Sequence, residues 1–496
     1  MINLEKYEFW FLTGSQDLYG EETLRQASEN ARKIVAALNQ GAPCPVVFNP
    51  ILTNADDIER ILRKAESNTA CAGLIAWMHT FSPAKMWVRG LRSLTKPLLQ
   101  LNTQFNAAIP YATMDMDFMN LNQSAHGDRE FGHITARMDI PRKVIAGHWC
   151  DSLFQERVFA WMRVACAVAD ARQLTVVRFG DNMRDVAVTD GDKVAALEKF
   201  GWSVPYYGIG DLVHYMNEVD DGQIDRLMRE YADAYLICWG DDKERTLAHI
   251  HEQAKIELGL RLFLSDKKAN AFTTNFQDLH GMKQLPGLAV QRLLVDGFGF
   301  AGEGDWKTAA MVRAFKTMGH GLPGGASFME DYTYNLEPDN MMILGAHMLE
   351  VCPSIATKKP SLEVHPLSIG GKESPARLVF DGKPGASLCA AMVDMGNRFR
   401  LVCNETESVS APSRFGALPT ARVLWKPLPD MLTACEAWIL AGGGHHTAYS
   451  SAITSDYIRD FAEMCGIECL VIGNGVTIST FRNELRWNEA YWGGRK

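Results

Sequence analysis

The feature that most constrains this chain is the alternation of strand-like and helix-like segments over residues 7–101. Residues 7–13 (YEFWFLT) are an apolar run of strand length. In residues 21–39, Leu24, Ala27, Ala31, Ile34, Val35 and Leu38 fall on one helical face. The pattern repeats: strand at 45–52, helix at 56–67 through Ile58, Ile61, Leu62 and Ala65, strand at 72–77, helix at 83–94, strand at 97–101. Strands joined through helices specify a parallel sheet wound by right-handed crossovers. Ligands of such sheets sit beyond the carboxyl ends of the strands. The loops there are residues 14–20 (GSQDLYG), 79–82 (HTFS) and 102–105 (NTQF). They are polar, but none is a phosphate-cradling glycine loop, so no dinucleotide is expected.

A second α/β block begins at residues 174–180 (LTVVRFG), with helices expected over 191–200, 223–232 and 244–258. Past residue 325 the texture changes. Short apolar runs at 341–352, 361–369, 376–380, 386–393 and 399–403, separated by turn residues, predict an antiparallel β domain. A last helix at 456–465 leads into a strand at 469–472. A chain of 496 residues exceeds one ordinary core. The expected division is an N-terminal α/β domain (1–172), a central α/β domain (173–324) and a C-terminal β-rich domain (325–496).

A formal charge of −9, with no basic run interleaved with aromatics, argues against a nucleic-acid partner. The N-terminus lacks the basic and apolar regions of a signal peptide, and no stretch approaches a membrane span. The eleven cysteines include no Cys-x-x-Cys and mostly lie in apolar segments such as 235–239 (YLICW). That predicts reduced, buried thiols and a cytoplasmic protein.

Gly297, Gly299 and Gly302 match G-x-G-x-x-G, but the motif must follow a strand and open a helix. Residues 288–295 read as a helix instead, with Gly297 closing it and Asp305 capping a later helix over 306–318. Residues 298–301 then form a strand, which puts Glu303 in the loop at its carboxyl end. Glu330, His347 and His446 lie in comparable apolar or glycine-rich settings, where an isolated charge is costly. Two carboxylates and two imidazoles without a thiolate suit Mn²⁺, Co²⁺ or Mg²⁺ better than structural zinc. Taken singly, each residue more often has a loop, cap or core role. Spacing alone does not assemble the four, because no single helix or loop holds them.

Beyond these residues, the chain resembles the L-arabinose isomerases in a series of segments running in order along nearly its whole length. They are residues 14–20, 77–87 (WMHTFSPAKMW), 114–127 (MDMDFMNLNQSAHG), 178–184 (RFGDNMR), 297–306, 327–334 (SFMEDYTY), 349–354 (LEVCPS), 437–446 (AWILAGGGHH) and 486–491 (RWNEAY). The resemblance implies metal ligation by Glu303, Glu330, His347 and His446, usually of one Mn²⁺ per subunit. It implies sugar contacts at Gln16, Leu18, Tyr19, Gln123, His126, Met183 and Phe276. It further implies a fucose isomerase-like fold of two doubly wound α/β domains with an antiparallel β-rich third. A homohexamer with active sites at subunit interfaces is implied as well. Two departures are visible: Asp17 where His is frequent, and Gly444 where Ala is common. Neither touches an implied ligand, but they leave fine substrate preference open.

The implied reaction converts L-arabinose to L-ribulose, and D-galactose to D-tagatose less well. It has no net redox, so it needs no nicotinamide. Glu303 and Glu330 are the expected acid–base pair for an enediol route, with a metal-driven hydride shift as the alternative. An extended backbone would turn His445 to the opposite face from His446, either supporting the site from below or contacting substrate. The competing readings are isomerisation of another sugar, such as fucose or galactose, and a non-catalytic sugar-binding module.

Overall fold

A strand buried on both faces needs neighbouring strands at its sides and helices above and below. In the computed structural model, which describes residues 2–367, 369, 371–411 and 415–493, this requirement shapes the first sheet. β1 (Glu8–Gly14), β2 (Val46–Phe48), β3 (Cys71–Met78), β4 (Leu98–Asn102) and β5 (Lys143–Ala146) lie in the order β2-β1-β3-β4-β5. All the pairings are parallel. Every residue of β3 is buried. The helix Gly20–Leu38 buries Ala27, Ala31, Ile34, Val35 and Leu38. The expected helix over 83–94 is shorter, a 3₁₀ turn at Ala84–Trp87 running into Val88–Leu91.

The second sheet is also parallel. β6 (Val176–Phe179), β7 (Tyr206–Tyr207), β9 (Ala271–Thr274) and β10 (Gly299–Ala301) take the order β10-β9-β6-β7. The intervening β8 (Leu236–Ile237) joins a small sheet with β13 (Ser361–Val364) and β14 (Ala376–Val379). Cys238 follows β8 and is exposed, contrary to the expectation from its apolar neighbours, because that strand ends at Ile237. No disulfide occurs among the described residues. The helix Gly287–Val295 precedes β10, and the next helix, Trp306–Met318, starts only after Asp305. The G-x-G-x-x-G match therefore opens no helix. Gly299 serves packing instead, since a Cβ there would stand 2.1 Å from the Ala309 carbonyl oxygen.

The third region is antiparallel, as its short apolar runs predict. β11 (Ala326–Asn335), β12 (Met342–Ala346), β15 (Gly385–Asp394), β16 (Phe399–Val409), β17 (Arg422–Pro427), β18 (His446–Ser450) and β19 (Glu468–Ile472) run in the order β15-β18-β11-β12-β17-β16-β19. A further β15–β16 pairing closes six of them into a ring, with β19 added parallel to β16. Of the run expected over 361–369, β13 is the strand, and Ser368 lies outside the described residues.

The chain divides into two compact units. Asn3–Ala169 with Glu463–Gly466 forms one, and the other comprises Asp170–Ala462 with Ile2 and the segment from Ile467 onward. The second unit thus holds the second parallel sheet and the antiparallel ring together. No helix among the described residues is long and apolar enough to cross a membrane.

In the smaller unit Asp128 is buried, and Asn102 Nδ2 donates to its Oδ2 at 2.8 Å while Oδ1 has no partner. Burial pushes its carboxyl up to about 7, against the hydrogen bond from Asn102. An unfolded Asp titrates near 3.9. From about pH 4 to about pH 7 the folded state therefore keeps a proton that the unfolded state has lost, and stability falls as pH rises. Asp128→Asn should raise the thermal unfolding midpoint at pH 8 and leave it unchanged near pH 4. Parallel pH profiles for the two proteins would contradict this assignment.

Candidate active site

Where β10 ends, the chain turns through Gly302, Glu303 and Gly304. Glu303 has φ 61° and Gly304 φ 80°. A non-glycine residue in the left-handed region costs roughly 1–3 kcal/mol unless its surroundings hold it there. Here Met183 N donates to Glu303 O at 2.9 Å, and Gly304 N donates to Thr274 O at 3.1 Å. Asn182 Nδ2 donates to Gly304 O at 3.1 Å. Neither flanking glycine could carry a side chain easily. A Cβ on Gly304 would stand 2.6 Å from Asn182 Cα, and one on Gly302 would stand 3.1 Å from His347 Cε1. The turn is thus pinned, with its carboxylate 17% exposed.

The antiparallel ring supplies the other groups through its register. Glu330 on β11 is directly opposite His446 on β18 and Ala346 on β12, and His347 is the next residue after β12. His347 Nε2 lies 3.9 Å from Glu330 Oε2. His446 Nε2 lies 3.8 Å from Glu303 Oε2. The two imidazole centroids are 6.0 Å apart. Phe328, two residues before Glu330, packs against both rings, at 4.7 Å from His347 and 5.0 Å from His446.

Each imidazole is held from behind by a carboxylate. Glu350 Oε2 is 2.5 Å from His347 Nδ1, and Asp305 Oδ2 is 3.1 Å from His446 Nδ1. A carboxylate accepts from Nδ1, so in the neutral imidazole the proton sits on Nδ1 and the lone pair on Nε2. His446 Nε2 is buried and has no hydrogen-bond partner. Asp305 also accepts from Thr308 N at 3.1 Å and so caps the helix Trp306–Met318, as its sequence position predicts.

The electrostatics follow from these contacts. The His445 imidazole beside it, with the nearby His446 and His347, holds the Glu303 carboxyl below its usual range despite burial. Burial would lower the His347 pKa, but the Glu350 charge and hydrogen bond overcome it and leave it raised. Burial likewise opposes ionisation of Asp305, and Lys307 and His446 outweigh it.

His445 departs from expectation. β18 begins only at His446, so His445 belongs to the preceding turn and is not flipped to the far face. Its Nε2 is 3.6 Å from Glu303 Oε2. Glu303, His445 and His446 form the group that could hold a metal ion among the described residues, with ligand atoms within 4.8 Å of one another. Glu330 and His347 make a second pair beside it. Phe276 stacks on His347 with centroids 6.1 Å apart, and Met183 reaches the Glu303 turn through its backbone.

The smaller unit carries the remaining sugar-contact candidates. Tyr19 OH donates to Gln123 Oε1 at 3.1 Å, and His126 packs on Phe81 with centroids 4.7 Å apart. Gln16 is half-buried, and Leu18 is 83% exposed. Sequence reasoning missed Glu350 and Tyr332. Tyr332 is two residues beyond Glu330 on β11, and burial, then the Glu330 and Glu303 charges, raise its pKa. The register of β11 against β12 shifts between Asp331 and Thr333, so strand periodicity in the sequence does not reveal it.

Three family models match in succession: the L-arabinose isomerase N-terminal domain over residues 3–173, the central domain over 175–321 and the C-terminal domain over 325–468. The chain is 58% identical to the L-arabinose isomerase of Geobacillus stearothermophilus over 498 residues, covering 100% of both. It is 57% identical to that of Thermotoga neapolitana over 495 residues, covering 99% of both. With the Anoxybacillus flavithermus enzyme of the same name the identity is 56%, covering 100% of this chain and 99% of that one.

The double duty of Asp305 is open to test. Asparagine caps helices as well as aspartate does. Asp305→Asn should therefore keep the helix cap, at some cost in stability from the buried Lys307 whose counter-charge it removes, while lowering affinity for a divalent cation about 10–100-fold. Asp305→Ala should lose both. Calorimetric titration with Mn²⁺, set beside thermal unfolding of the metal-free proteins, separates the two effects. Wild-type affinity in the asparagine variant would refute the orienting role.

Proposed function

The chain belongs to the L-arabinose isomerase family, and on that premise we propose that it converts L-arabinose to L-ribulose, with Glu303, Glu330, His347 and His446 holding one divalent metal. The observation that supports this most is the pair of buried imidazoles, each with Nδ1 bound by a carboxylate and Nε2 turned toward Glu303 or Glu330. The buried, unpartnered His446 Nε2 suits a cation, and the mixed oxygen and nitrogen donors suit Mn²⁺, with Co²⁺ or Mg²⁺ as substitutes. When bound, such a cation polarises the sugar carbonyl and offsets charge developing on O1 and O2.

The remaining work falls to the side chains. Converting an aldose to a ketose removes the proton from C2, delivers one to C1 and transfers a hydroxyl proton from O2 to O1. Glu303, held ionised by its histidine neighbours, is ready to accept a proton at neutral pH. Glu330 is the partner carboxylate for the return transfer through an enediol. His445, half-exposed beside Glu303, and Phe276, stacked on His347, are assigned to the sugar. Gln16, Leu18, Tyr19, Gln123, His126 and Met183 complete the contacts. D-Galactose, one hydroxymethyl larger, is the slower substrate on this reading. Pocket differences of that size shift selectivity only about 10–200-fold.

Chelation should abolish turnover, and Mn²⁺ or Co²⁺ should restore it better than Zn²⁺, followed as L-ribulose formed from L-arabinose within a panel of pentoses and hexoses. Full activity in protein shown by elemental analysis to be metal-free would end the metal assignment. Glu303→Gln and Glu330→Gln should each cut kcat by roughly 10²–10⁴-fold with circular dichroism unchanged. A variant that kept more than about a tenth of wild-type kcat would lose its acid–base role.

We also assign the protein a hexameric assembly in which one subunit's Gln16, Gln123 and His126 serve a neighbour's metal. Co-expressed Glu330→Gln and His126→Asn chains should then form mixed hexamers more active than either parent. Mixed hexamers, verified by mass spectrometry, that stayed at parental background would rule the shared site out.

A further inference from the structure

The helix Ser124–Arg137 begins against the loop that leaves β3, and three consecutive loop residues hold its first turn. The His79 carbonyl accepts from Gln123 N at 3.1 Å. The Thr80 carbonyl faces Gly127 so closely that a Cβ there would stand 2.6 Å from its oxygen. The Phe81 ring lies against the His126 imidazole, centroids 4.7 Å apart and planes 39° apart. The loop is itself fixed from inside. His79 is fully buried, stacked on Trp77 at 4.3 Å and bonded through Nε2 to Asn30 at 3.0 Å. Thr80, also fully buried, shares a 2.7 Å hydrogen bond with Ser15.

Two of these contacts fall on residues assigned to the sugar, Gln123 and His126. Gln123 occupies the N-cap position but does not cap its helix with its side chain. That amide instead accepts from Tyr19 OH and donates to Asn120 Oδ1 at 3.2 Å. His126 is exposed. An exposed imidazole explores several rotamers unless something packs on it, and the ring that packs on it is Phe81.

We propose that Phe81 is a positioning residue for the isomerisation: its ring, anchored by the buried His79–Thr80 segment, orients the His126 imidazole for contact with the sugar. This rests on the reading that His126 touches substrate. Phe81 itself takes no part in proton transfer, so its removal should act on substrate capture more than on turnover.

The test is a double-mutant cycle in the full-length enzyme with its metal, using Phe81→Leu, Phe81→Tyr and His126→Asn. Phe81→Leu should raise KM for L-arabinose about three- to tenfold, the range expected for losing one ring contact, with a smaller change in kcat. Its thermal unfolding midpoint and oligomeric state should match wild type, and Phe81→Tyr, which keeps the ring, should restore KM. In the His126→Asn background Phe81→Leu should add nothing further. If Phe81→Leu proves unstable, Phe81→Met, similar in volume but without a ring, has the same expectation. A well-folded Phe81→Leu enzyme with wild-type KM overturns the proposal, as does an equal loss with and without His126. If His126→Asn alone leaves kinetics unchanged, the reading beneath the proposal has failed, and the single variant identifies that failure directly.

Discussion

The row formed by His446, Glu330 and Ala346 across β18, β11 and β12 is the constraint on which the site depends. Side chains alternate along a strand, so a slip of one residue in β11 would turn Glu330 away and bring Asp331 toward the histidines. Asp331 is ill suited to that exchange. Its Oδ1 is buried without a partner, and burial, then the Glu330 charge, pushes its carboxyl up to about 7. Closure of the ring through β15 and β16 holds the register, because a closed sheet has no free edge along which a strand can shift.

Glu303 comes from a different kind of scaffold, the loop beyond a parallel strand. Asp305 links it to the ring. One carboxylate starts the helix Trp306–Met318 and holds the Nδ1 of His446. Such a buried charge is costly unless it is well partnered. Here Thr308, His446 and Lys307 Nζ, at 3.8 Å, supply the partners. The orientation of the imidazole and the position of Glu303 are therefore coupled through a helix cap. Gly302 allows the same closeness from the other side, since any side chain there would press on His347.

Much of this was legible in the sequence, and the misses share a cause. The strand–helix alternation, the late antiparallel runs, the Asp305 cap and the Glu303 loop all depend on local patterns, and the structure agrees with each. What pattern could not reveal was pairing between distant segments. Asp305 could be recognised as a cap, but not as the partner of a histidine 141 positions away. Glu350 lies three residues after His347 in an apolar run that resembled core, and only the folded chain brings its carboxylate onto Nδ1. His445 lies beside Glu303 because β18 begins only at His446, so strand alternation does not reach it. Cys238 shows the same limit, since an apolar neighbourhood in sequence does not bury a residue that follows a two-residue strand.

The two units also differ in their chemistry. The larger one gathers Glu303, Glu330, Glu350 and Asp305 around three imidazoles, an arrangement of charge suited to moving protons. In the smaller one the assigned residues are two glutamines, a tyrosine, a histidine and an exposed leucine, groups that suit neutral hydroxyls and a carbon skeleton. A sugar has no charge to steer it, so hydrogen bonds and apolar contacts must discriminate it, each worth a modest factor. On the proposed assignment recognition draws on the 14–20 loop, where Gln16 is half-buried and Asp17 and Leu18 are exposed. The register that places Glu330 is set within the antiparallel ring.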